Sequence, residues 1–214
     1  MKKLISSSFI VLLLLIGTNS KSQNLKGQTV VTGSYGFTAV KSVVATLWST
    51  DFIEASTNGI GAIALGVDYG LSDRFSVGLH YATQTVKGRV TDLYWFTDAN
   101  NNAVYEDFDY RMNRTHLSIV PKIHYIVDNE KFDLYSGLRV GYVKWTKKFE
   151  SKDPDFPDNY DLDINTLKNR VSVGLVLLGA RYYFSDNIGG SFELNLGPPY
   201  IFSLGASYKL GGAN

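Results

Sequence analysis

Hydrophobic and polar positions alternate along most of this chain, and the alternation is clearest from Ala62 to Ala82. Ile63, Leu65, Val67, Tyr69 and Leu71 interleave with Ala62, Ala64, Gly66, Asp68 and Gly70. After Ser72-Asp73-Arg74, Phe75, Val77, Leu79 and Tyr81 interleave with Ser76, Gly78, His80 and Ala82. Strand side chains point to opposite faces with period two, so this is a hairpin with one apolar face and one small or polar face. The turn is short and polar, and its side chains can hydrogen-bond locally to the backbone.

The pattern recurs and predicts eight strands. They fall at about Gln28–Val40, Gly59–Leu71, Phe75–Lys87, Arg114–Val127, Phe132–Thr146, Asn169–Phe184, Ile188–Leu196 and Tyr200–Leu210. In the fourth, Leu117, Ile119, Pro121, Ile123 and Tyr125 oppose His116, Ser118, Lys122 and His124; Pro121 lacks a ladder donor, so a bulge or a weak pair is expected there. In the fifth, Leu134, Leu138, Val140 and Tyr142 oppose Tyr135, Gly137, Arg139 and Gly141. The sixth, VSVGLVLLGARYYF, is apolar on both faces, with a shift of phase near Leu177–Gly179. In the last, Tyr200, Phe202, Leu204, Tyr208 and Leu210 share one face.

Long connections, at about 41–58, 88–113 and 147–168, alternate with tight ones. An apolar face edged by aromatics, opposite a face of small and sparsely charged residues, is the dyad pattern of a transmembrane barrel. The predicted fold is therefore all-β, an eight-stranded antiparallel up-and-down transmembrane β-barrel. The long connections then form outer loops, which puts both termini in the periplasm of a Gram-negative outer membrane.

The first residues change the compartment rather than the fold. Lys2 and Lys3, an apolar run FIVLLLLI over Phe9–Ile16, and Ser20-Lys21-Ser22 read as a secretory signal over 1–22, leaving 23–214 as the barrel domain. Removing Lys2, Lys3 and Lys21 takes the formal charge from +1 to −2, and neither value suits a nucleic-acid partner. There is no cysteine, so disulfides play no part.

The signal, the YGLSDRFSVGLHY hairpin, the RYYFSDNIGGSFELNLGPPY hairpin and the closing SLGASYKL strand together resemble the small outer-membrane β-barrel proteins. That eight-stranded group includes the transmembrane domain of outer membrane protein A. The resemblance covers the mature chain and implies outer-membrane lipid and the barrel assembly machinery as partners. Such proteins usually end on an aromatic residue; here Leu210 is followed by Gly211-Gly212-Ala213-Asn214.

Candidate chemistry collects on the inward face: Asp68, His80, Lys122, His124, Arg139, Glu193 and Lys209, with Arg181 added if the sixth strand shifts phase. Eight strands leave an interior that side chains just fill, so these residues are expected to form a polar network plugging the lumen, with no catalytic, cofactor or metal site. The function expected is structural, or surface interaction of the loops with an unidentified ligand or protein.

The alternatives are a lipid-modifying enzyme, a narrow solute channel and a soluble lipocalin-like carrier. His116-Leu117-Ser118 with Glu130 matches the residue types of a lipid-deacylating barrel, but Glu130 falls in the opposite turn. Asp98, Asn100, Asn102 and Asp109 have calcium-loop spacing without the required Gly and Glu, and the flanking TDLYWF and AVYEDFDYRM read as strands running past the membrane, which makes Asn100–Asn102 a hairpin tip. The acidic third loop, with Asp153, Asp155, Asp158, Asp161 and Asp163, reads as solvated. Tyr94, Trp95, Phe96, Tyr105, Phe108 and Tyr110 are expected in cross-strand pairs or an aromatic girdle, with Trp48 and Trp145 at the outer interface.

Overall fold

The computed structural model describes residues 26–40, 54–97, 101, 103–127, 129–151 and 167–210. Its strands are β1 (Thr29–Phe37), β2 (Glu54–Gly59), β3 (Ala62–Ser72), β4 (Phe75–Thr97), β5 (Ala103–Tyr125), β6 (Phe132–Ser151), β7 (Arg170–Tyr183), β8 (Ile188–Leu196) and β9 (Phe202–Leu210). All pairings are antiparallel, and the sheet closes through β4–β5 into a barrel. β2 pairs only with the upper part of β4 and continues the line of β3, so the barrel has eight staves. The first and last staves meet from Thr29↔Leu210 to Phe37↔Phe202, which leaves no open edge in the ring.

Short polar side chains fix the tight turns. Ser72 Oγ accepts from the Phe75 amide at 3.2 Å, Asn129 Oδ1 from Lys131 at 2.9 Å, and Ser185 Oγ from Ile188 at 3.1 Å. All three turns lie at one end of the barrel.

The outward face of the staves is apolar. On β3 and β4, Ile63, Leu65, Val67, Leu71, Phe75 and Leu79 are exposed, whereas their inward neighbours are buried or half-buried. Exposed tyrosines flank this band: Tyr69, Tyr125, Tyr182 and Tyr208 toward the tight turns, Tyr35, Tyr81 and Tyr142 toward the other end. A continuous apolar belt between two aromatic girdles is stable against hydrocarbon and not against water, and it makes the barrel transmembrane.

The second long connection is largely strand, as TDLYWF and AVYEDFDYRM lead one to expect. β4 and β5 run as a hairpin of 23 residues each, with Asn101 at its tip at φ 64. β6 extends beside them to Ser151. Along this extension the polarity inverts. The outward column on β5 changes from Ile119 and Leu117 to Thr115, Asn113, Arg111 and Asp109; the inward column changes from His116 and Arg114 to Met112, Tyr110 and Phe108. Val86, Val90, Phe108, Tyr110, Met112, Phe149 and Leu167 then form an apolar cluster, with Val40 and Trp145 against it. The inversion marks where the surroundings of the wall change from lipid to water.

Pro121 weakens the wall as expected. The β5–β6 pairing resumes in unchanged register after omitting Val120 and Pro121, which is a weak pair rather than a bulge. The phase shift in the sixth stave is a bulge of β7 against β8 between Val176 and Leu178. Ser172, Gly174 and Val176 face inward before it; Gly179, Arg181 and Tyr183 do so after it.

Three placements differ from the sequence reading. β9 begins at Phe202, and Tyr200 folds from the Gly197–Pro199 corner into the lumen, where it is buried. Trp145 lies on the inward column of β6 beside the apolar cluster rather than at the lipid interface. Phe108 and Tyr110 are buried in that cluster, while Tyr105 is exposed. Trp48, the side chains of Tyr94, Trp95 and Phe96, and the acidic residues 153–163 lie outside what the structure describes.

Candidate functional site

The lumen is built from charges contributed by β3, β5, β6, β7 and β8. Asp68 on β3 is its centre. Its Oδ1 accepts from His80 Nε2 at 3.0 Å, and its Oδ2 from Lys122 Nζ at 2.9 Å and from Arg181. Lys122 Nζ also lies 3.6 Å from Glu193 Oε1. Glu193 in turn accepts from Arg139 at 2.9 Å, from the Tyr200 hydroxyl at 2.9 Å and from the Tyr135 hydroxyl at 2.9 Å. On the other side Arg181 reaches Asp133 at 3.2 Å, and Asp133 pairs with His124 Nδ1 at 2.6 Å.

Six of the seven residues assigned to the inward face thus join one connected network: Asp68, His80, Lys122, His124, Arg139 and Glu193. Arg181, Asp133, Tyr135 and Tyr200 complete it. Lys209 is buried, with its Nζ 3.6 Å from the centroid of the Tyr183 ring. Buried charges need partners because desolvation costs several kcal/mol per ion. Here Asp68, Asp133 and Glu193 balance Lys122, Arg139 and Arg181. The Tyr135 ring fills the centre, with Lys122 Nζ at 4.4 Å and Arg181 Cζ at 4.7 Å from its centroid.

Small residues leave room for this packing at two close approaches. A Cβ on Gly78 would run into the Asp68 carboxylate and the His80 ring, and one on Gly179 would run into the Tyr135 ring. An interior gap lined by Arg181, Glu193, His80 and Tyr200 measures about 10 Å³, room for one water at most.

Asp133 does not stand out in the sequence as an inward residue because it is the second residue of its strand, just past a polar turn. Its parity with Tyr135 and Arg139 was the available signal. With it comes a relay, since His124 Nε2 also pairs with Ser76 Oγ at 2.8 Å. Ser76, His124 and Asp133 have the connectivity of a nucleophile, base and acid. Ser76, however, is only 2% exposed, and Asp133 also holds Arg181. The chain satisfies both nitrogens of a buried imidazole.

The other chemical readings separate in space. His116 bonds Ser172 at 2.8 Å, not Ser118, and Glu130 is exposed in a tight turn at the opposite end. Asp109 is held by Arg89 through two bonds, at 2.7 and 3.0 Å. Asp98, Asn100 and Asn102 lie outside the described residues. Among the described residues no group of His, Cys, Asp or Glu side chains is arranged to hold a metal ion.

The closed strand order, lipid-facing belt and filled polar interior define an eight-stranded transmembrane β-barrel. Among solved structures the chain is similar to outer membrane protein OprG from Pseudomonas aeruginosa, at 12% identity and TM-score 0.48 over 89% of this chain and 99% of that one. It is also similar to the N-terminal β-barrel domain of Pseudomonas aeruginosa OprF, at 10% identity and TM-score 0.44 over 86% and 98%. Ail, the attachment invasion locus protein of Yersinia pestis, matches at 12% identity and TM-score 0.42 over 87% and 100%. No family model and no curated protein matches the chain.

Proposed function

We propose that this chain is an integral outer-membrane barrel without an open pore, with both termini in the periplasm. Its role is structural or surface interaction, exerted through the outer segments around 41–58, 88–113 and 147–168, strand extensions included, on a ligand or protein yet to be identified. The barrel assembly machinery and outer-membrane lipid are its expected partners. The observation that carries the reading is the filled lumen. Three carboxylates and three cations neutralise one another in direct contact across it, and beyond them an apolar cluster occupies the extended part of the barrel. A conducting filter instead lines a continuous water path with separated charges or carbonyls. A lipocalin-like carrier would need its apolar face inside, whereas here that face is outside.

Catalysis is not part of this reading, because the one nucleophile–base–acid chain among the described residues is sealed in the lumen. Reconstitution into planar bilayers tests the proposal. It expects no discrete conductance steps for the wild type; reproducible single-channel steps, abolished by boiling the protein, would show a pore and overturn it.

A further inference from the structure

Three breaks in the hydrogen-bond ladder adjoin one another in the lipid-facing wall. The His124 amide donates to Arg74 O on the β4 side, so the even residues of β5 address β4 and the odd ones address β6. Ile119↔Val140 and Lys122↔Gly137 put Pro121 opposite Leu138. Proline has no N–H, so Pro121 offers nothing to the Leu138 carbonyl, and the pairing of Val120 and Pro121 with β6 lapses. On β6, Ser136 lies between Tyr135↔Gly179 and Gly137↔Val176 and faces two residues of β7, Leu177 and Leu178. Leu177 is again the residue left over between Val176↔Asn195 and Leu178↔Leu194. The β1–β3, β1–β9 and β8–β9 ladders run in unbroken register.

Side chains bridge the breaks from outside. Tyr125 Oη donates to Ser136 Oγ at 2.9 Å, and Ser136 Oγ donates to the Leu177 carbonyl at 2.8 Å. One hydroxyl thereby ties β5 to β6 and β6 to the bulge of β7. Ser136 is the polar exception in an outward column that otherwise reads Leu134, Leu138, Val140 and Tyr142. A hydroxyl in hydrocarbon is costly unless it is bonded, so lipid around the wall favours keeping both bonds. A depression of about 700 Å³ lies over the site, with Pro121, Tyr125, Ser136, Gly137, Leu138 and Leu177 in its lining. A Cβ on Gly137 would come within 2.7 Å of the Pro121 carbonyl, so backbone meets backbone there.

The weak stretch is bounded. Toward the tight turns, His124 Nδ1 and Asp133 tie β5 to β6 at 2.6 Å; in the other direction, the ladder resumes at Ile119↔Val140. Behind it Val120, Tyr135 and Val176 form a small buried cluster. Tyr135 also holds Glu193 through its hydroxyl, and Lys122 and Arg181 against its ring. Local opening costs least where the fewest bonds must break, and in this wall that is between β5 and β6 beside Pro121.

We propose that the wall yields first at this β5–β6 seam, and that the Tyr125–Ser136–Leu177 relay is the strap that holds it shut. Release of the strap frees the backbone next to Tyr135, so the strap couples the lipid face of the wall to the charge network of the lumen.

The test is native-state hydrogen exchange of the full chain in phosphatidylcholine nanodiscs, read amide by amide by NMR. In the wild type, the seam amides of Ile119, Ile123, Leu138 and Val140 are expected to exchange at least about tenfold faster than those of the unbroken β1–β9 seam. Ser136→Ala and Tyr125→Phe should each speed the seam amides about fivefold further and leave β1–β9 unchanged. Pro121→Val restores the missing N–H and should slow them.

Equal protection of the two seams in the wild type would overturn the proposal, as would a Pro121→Val seam no slower than the wild type's. Strap variants that leave the seam unchanged, or that speed every seam alike, would show that the relay is no strap. Pro121→Val moves exchange in the direction that a poorly folded variant cannot, and unboiled gel mobility reports folding of each variant. Loss of the mobility shift in the wild type would remove the closed barrel itself.

Discussion

Arg181 on β7 and Asp68 on β3 are 113 residues apart in sequence and pair across the barrel lumen. Arg181 also bridges to Asp133, so one guanidinium ties two carboxylates from different staves. It can do so only because the bulge at 176–178 turns the second half of β7 over. Breaking a buried pair leaves an uncompensated charge. Arg181→Met is therefore expected to lower unfolding stability by about 3–5 kcal/mol, read from the urea midpoint in detergent micelles. Arg181→Met combined with Asp68→Asn should cost less than the sum of the two single changes.

The glycines at the close approaches should discriminate in the same assay. Gly179→Ala meets the Tyr135 ring and is expected to cost about 1–3 kcal/mol through overpacking. At Gly33, on the outward face of β1, an added Cβ meets nothing within 4 Å. Gly33→Ala should thus be neutral or slightly stabilising. Equal costs at both positions would contradict the packing around Tyr135.

Polarity inversion along the staves gives a depth scale. Leu79→Arg or Leu204→Arg, in the lipid-facing belt, should each cost roughly 2–4 kcal/mol. Asn113→Arg, beyond the inversion on β5, should cost little. A near-zero effect at Leu79 and Leu204 would mean that the apolar face does not meet lipid.

The Ser76–His124–Asp133 relay is accessible to a direct chemical check. A fluorophosphonate probe should leave the folded protein unlabelled, because Ser76 is sealed. Stoichiometric labelling lost in Ser76→Ala would reveal a working nucleophile and reopen the enzymatic reading.

The two tight hairpins were the most legible part of the chain. β8 falls on the predicted Ile188–Leu196 because a polar turn and a Gly-Pro-Pro corner bound it. The inward face was equally readable wherever small or charged residues alternate with large apolar ones, as at Asp68, His80 and Lys122. β7 resisted, since its apolar residues on both faces do not choose a phase; the bulge does. Tyr200 was misplaced because alternation was carried through a corner that is not strand. The apolar cluster above the lumen was missed although Lys87-Gly88-Arg89-Val90 and Asp109-Tyr110-Arg111-Met112 still alternate. Their polarity is the reverse of that in the belt, so reading TDLYWF and AVYEDFDYRM as strands past the membrane did not reveal that their inward face packs apolar side chains.

The central claim is a closed barrel whose apolar face meets lipid, and gel mobility of the outer-membrane fraction tests it most directly. Cold and boiled samples of the protein would be run side by side. The account predicts an unboiled band that migrates faster than the boiled one, because a closed barrel resists detergent until heated. A protein found only in the soluble fraction, running as one band under both conditions, would contradict it.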